Sequence, residues 1–167
     1  METRNLVITG AILLLAGCAS YDGRGLVPGK ATAGDVEALM GPPAESLKVA
    51  GGDSIWYYPR APQGTQTYAV RVSPDGVMRS IEQVLDMANL KKLVAGATTS
   101  GEVRELLGPP MRVNRFERQE RDVWQYRMIG YSSEPHFLYV QFSNDGLVRE
   151  VILLKDMYRD QGDGRSR

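Results

Sequence analysis

One cysteine, one histidine and no surplus of charge among 167 residues each remove a class of explanation. A single thiol cannot close an intramolecular disulfide, so stability must come from the core. His136 is the one imidazole, where nucleophilic catalysis needs an activated pair. It opens an expected strand after Glu134-Pro135 and reads as a strand-edge side chain. Zinc would need several ligands the sequence lacks, and Gly51-Gly52 has no lysine and serine or threonine of a phosphate loop. Neither an enzyme nor a cofactor is expected. Twenty Lys and Arg balance twenty Asp and Glu, which leaves no basic field for nucleic acid. After Ala16, charged residues interrupt every segment before an apolar run reaches the ~20 residues of a membrane helix.

What is present begins with that cysteine. Arg4 precedes an apolar run from Leu6 to Ala16 that is too short to span a bilayer, and small residues follow it. This is the pattern of a cleaved signal over residues 1–17. Leu15-Ala16-Gly17-Cys18 resembles the lipobox of bacterial lipoproteins. The resemblance implies cleavage before Cys18 and lipidation of its thiol, and several acyl chains hold a protein on a membrane where one does not. Ala19 and Ser20 follow, with no aspartate, as in lipoproteins passed to the outer membrane of enteric-type bacteria. The expectation is a periplasm-facing body on a tether of residues 18–28.

The body is duplicated. Gly29-Lys-Ala-Thr-Ala-Gly-Asp-Val-Glu-Ala-Leu-Met-Gly-Pro-Pro43 aligns without gaps on Gly96-Ala-Thr-Thr-Ser-Gly-Glu-Val-Arg-Glu-Leu-Leu-Gly-Pro-Pro110, with 8 of 15 positions identical. Trp56-Tyr57-Tyr58 then meets Trp124-Gln125-Tyr126, and Ser73-Pro-Asp-Gly76 meets Ser143-Asn-Asp-Gly146. Thr32 with Asp35, and Thr99 with Glu102, stand at capping-box spacing, while Gly-Pro-Pro ends each helix after about two turns. Val36, Leu39 and Met40, like Val103, Leu106 and Leu107, form one apolar stripe. Three strands are expected after each helix, over residues 55–58, 65–72 and 77–84 and over 123–128, 136–142 and 147–154. A further short helix is expected over 88–94. The fold class is α+β: two tandem repeats, residues 29–87 and 88–160, each with a short helix or helices on a three-stranded antiparallel sheet, followed by a polar, disordered tail over 161–167.

A short helix ending in Leu-Gly-x-Pro, then Trp-x-Tyr, then a strand, a turn and a last strand resembles the BamE (SmpA/OmlA) family of outer-membrane assembly lipoproteins. Gly96-Ala-Thr, Val103, Leu107-Gly-Pro-Pro110 and Trp124-Gln-Tyr126 carry the likeness. Family members usually hold one such unit, so the resemblance implies fold and compartment but no particular partner. The duplicated layout also resembles the secreted β-lactamase inhibitory proteins, whose repeats form one curved sheet.

Trp56, Tyr58, Trp124 and Tyr126 alternate along their strands and are expected under the helices. Tyr57, Phe137 and Tyr139 are out of phase and need either the other repeat or a partner as cover. Arg112, Arg115, Arg118 and Arg121 recur at intervals of three in an expected loop that Glu117, Glu120 and Asp122 nearly neutralise. These seven residues are the partner-binding candidates, with Cys18 the lipidation site. The functional expectation is a non-enzymatic outer-membrane lipoprotein, a protein-binding scaffold in envelope biogenesis whose envelope partner is unnamed. The alternative is a periplasm-facing inhibitor presenting its sheet to an enzyme.

Overall fold

A computed structural model describes residues 22–157. The signal segment, Cys18 and the tail after 157 lie outside the described residues. Each repeat opens on a capped helix, α1 (Ala33–Met40) and α3 (Ser100–Leu107). In both, the threonine hydroxyl accepts the N3 amide while the N3 carboxylate accepts the threonine amide, at 2.8 Å for Thr32 to Asp35 and 2.7 Å for Thr99 to Glu102. Gly41 (φ 83°, ψ −176°) and Gly108 (φ 77°, ψ −170°) end the helices in backbone open essentially to glycine alone. A shorter helix, α2 (Met87–Leu90), is capped by Asp86 and covers only the front of the expected 88–94 segment.

The sheets are four-stranded, β1 (Glu45–Lys48), β2 (Ser54–Pro59), β3 (Thr67–Val72) and β4 (Met78–Gln83), then β5 (Arg112–Phe116), β6 (Arg121–Ile129), β7 (Pro135–Phe142) and β8 (Val148–Lys155). Both are antiparallel meanders in sequence order. The expectation of three strands is corrected by one per repeat. The chain after Gly-Pro-Pro turns back as an edge strand, and the arginine-bearing segment expected to be a loop is β5 followed by a 3-10 turn over Glu117–Gln119. Edge strands have one unpaired side and need no apolar alternation, so Glu-Ser-Leu-Lys and Arg-Val-Asn-Arg-Phe gave little strand signal.

Each helix covers the front of its own sheet. Val36 and Met40 pack with Tyr58, Val70, Val72 and Met78 in repeat one. Val103 and Leu107 pack with Tyr126, Met128, Leu138, Val140, Phe142 and Val148 in repeat two. The two tryptophans are partly buried at the margins of these clusters. The last hairpin is tied to the helix start in both units, through Gly76 O to the Ala33 amide and Gly146 O to the Ser100 amide, each 2.8 Å.

Candidate functional site

The rear face of the first sheet, turned away from α1, carries Ile55, Tyr57, Ala69 and Val84, all buried. Repeat two covers it. The Tyr57 hydroxyl donates to Glu105 O at 2.9 Å, and its ring lies so close to Gly108 that a Cβ there would stand 2.9 Å from both Tyr57 Cδ1 and Thr67 Cγ2. Burial, with Glu105 and Glu45 nearby, holds the Tyr57 phenol far above its usual range, so it stays a donor. Arg104 reaches from α3 to Glu45 on β1 through two hydrogen bonds, Nε to Oε1 at 2.5 Å and Nη2 to Oε2. Its guanidinium also sits 5.4 Å from the Trp124 ring centre. Hydrogen bonding to Glu45 raises the Arg104 pKa further. At the other end, Arg127 donates to Pro62 O and Gln63 O at 3.0 and 3.3 Å while its Nε holds Asp156 at 2.8 Å.

On the rear face of the second sheet, among the described residues, repeat one meets Arg127 at one corner through Pro62 and Gln63, and the stretch around Val123, Tyr139 and Ile152 is left open. Val123, Tyr139 and Ile152 meet Phe116 and Leu154 around a groove of about 290 Å³. Leu154 is 53 % exposed and Phe116 49 %. Phe137 lies beside Tyr139, ring centres 6.5 Å apart. The register matches this face to the covered one. Gln125 stands where Tyr57 does, Phe137 in place of Thr67, Tyr139 in place of Ala69, Ile152 in place of Glu82 and Leu154 in place of Val84. Four of these five positions are more apolar or larger on the open face than on the covered one.

The seven candidates therefore separate. Tyr57 is wholly buried between the repeats and is unavailable to an outside partner. Its phase demanded cover, and the neighbouring repeat supplies it. Phe137 and Tyr139 line the open face. Arg112 lies opposite Gln125 and Arg121 opposite Phe116, on the same side of the sheet. Arg115 lies opposite Asp122 on the other side, bonded to Asp122 at 3.2 Å and to Asn144 at 2.7 Å. The hydrogen bond to Asp122 raises its pKa. Arg118 is exposed in the 3-10 turn. Sequence reasoning missed Phe116, Val123, Ile152 and Leu154, although Val-Ile-Leu-Leu over residues 151–154 alternates onto both faces of β8. His136 donates from Nδ1 to Glu134 O at 2.8 Å and packs against Gly130. Among the described residues no group of three His, Cys, Asp or Glu could hold a metal ion, and no helix is long and apolar enough to cross a membrane.

The chain matches no family model and no curated protein. Two solved structures are similar to it. One is a DUF4309 family protein (YjgB) from Bacillus subtilis, at 23 % identity over 79 % of this chain and 83 % of that one, with a TM-score of 0.31. The other, from Streptococcus mutans, is described as a "putative beta-lactamase inhibitor protein", at 16 % identity over 75 % and 82 %, with a TM-score of 0.29. Neither carries a BamE description.

Proposed function

We propose that this chain is a non-enzymatic lipoprotein of the outer membrane, anchored through Cys18 and facing the periplasm, whose second sheet is a protein-binding scaffold in envelope biogenesis. The observation that carries the reading is the open rear face around Phe116, Val123, Tyr139, Ile152 and Leu154. Its equivalent in repeat one is buried at Ile55, Tyr57, Ala69 and Val84, and the same architecture with bulkier apolar residues has the same need for cover. Arg112 and Arg121 border it with positive charge. Compartment rests on Leu15 to Cys18.

The test has two arms. Cys18→Ala should release the protein from membranes or leave its precursor uncut, and retention with normal cleavage would overturn the anchor. Leu154→Glu should abolish capture of envelope protein while the circular dichroism spectrum stays unchanged, since the side chain is more than half exposed. Unchanged capture would overturn the scaffold.

A further inference from the structure

We infer that the open rear face of the second sheet receives α1 of another copy of this chain, so that copies add head to tail through a contact of the kind already made between the two repeats, with the helix held further off the sheet by Phe137 and Tyr139 than α3 is by Thr67 and Ala69. The inference rests on the scaffold reading and names the occupant. The internal contact sets the template: α3 meets the first sheet through the Arg104–Glu45 pair, the Tyr57–Glu105 O hydrogen bond and the close approach of Gly108. The α1 helix has the same form. Glu37 stands where Arg104 does, each giving its carbonyl to the capping glycine at 2.9 Å. Ala38 replaces Glu105, Leu39 replaces Leu106, and Gly41 replaces Gly108.

The decisive feature is a reversal of charge on both sides. Position 104 carries a cation against the Glu45 anion, whereas α1 offers Glu37 and the open face offers Arg112, which lies opposite Gln125 as Glu45 lies opposite Tyr57. Each half changed sign, so the pair remains complementary. Glu37 and Arg112 are exposed, and neither side chain has a hydrogen bond or ion pair among the described residues. Gly41 has open space where its Cβ would be, whereas Gly108 is packed against Tyr57. Ala38 removes the charge that Glu105 carries, matching the more apolar open face. A contact between two different surfaces does not close at two copies by symmetry, so closed rings or longer chains of molecules follow.

Sedimentation of the detergent-solubilised full chain should show association that grows with concentration. Glu37→Arg and Arg112→Glu should each weaken it about tenfold, and the two together in one chain should restore it. In a second measurement, a chain with Ala38→Cys mixed with a chain bearing Gln125→Cys should be joined by a short bis-maleimide cross-linker into a linked pair that neither forms alone. A monomer at every concentration, association indifferent to both reversals, or cross-linking of either variant by itself would overturn the inference. If self-association is absent and Leu154→Glu still abolishes capture of an envelope protein, the scaffold reading stands without it. If Leu154→Glu changes neither, both fall.

Discussion

At the scale of single residues, the two capping glycines form a matched experiment. Gly41 and Gly108 share a backbone conformation that alanine enters only at a cost of about 2 kcal/mol, but only Gly108 faces the other repeat. Gly41→Ala should therefore lose roughly that amount in urea unfolding. Gly108→Ala should lose a further ~1–3 kcal/mol from overpacking against Tyr57 and Thr67. Equal losses would show that the repeats are not pressed together there. Arg104 and Glu45 are partly exposed, so their mutual coupling in a double-mutant cycle should be about 1 kcal/mol or less. The direct partner of Tyr57 is a backbone carbonyl, and Tyr57→Phe should cost about 1 kcal/mol.

At the scale of elements, the helices were legible because their ends are chemical. Threonine with a carboxylate three residues on, then Gly-Pro-Pro, sets both boundaries of α1 and α3 within a residue of the observed ones. The same chemistry gives a pH dependence. Hydrogen bonds from Thr32 and Thr99 hold the Asp35 and Glu102 carboxyls below their usual range, so the folded state binds their protons less readily than the unfolded chain. Their contribution is present above the ordinary carboxylate range, about pH 4, and fades as pH falls through the lowered folded values. Thermal midpoints measured down to about pH 3 should decline less steeply in the Asp35→Asn, Glu102→Gln double variant than in the parent. Strands β1 and β5 were illegible for the opposite reason: an edge is defined by what pairs with its one bonded side, and Glu45 to Lys48 carries no sign of that. The open face was half legible. Alternation exposed Phe137 and Tyr139, but assembling them with Phe116, Ile152 and Leu154 required strand registers that no local pattern encodes.

At the scale of the whole molecule, cover is unequal. Repeat two holds its principal cluster largely with its own residues, joined by Leu85. Repeat one depends on its neighbour for Ile55, Tyr57, Ala69 and Val84. Expressed alone, residues 22–86 should melt lower than residues 87–157, or associate through the bared face. A first repeat as stable and monomeric alone as in the full chain would deny the dependence. The tie between each helix start and the last hairpin of the same unit, Thr32 with Val77 and Thr99 with Leu147, also bears on the order of events in folding. Helices of two turns do not persist in isolation, so α1 must wait for β3 and β4 before it can lock, and α3 for β7 and β8. Tyr57 takes its cover from α3, so that ring should stay open to water until the second unit has closed over its own helix.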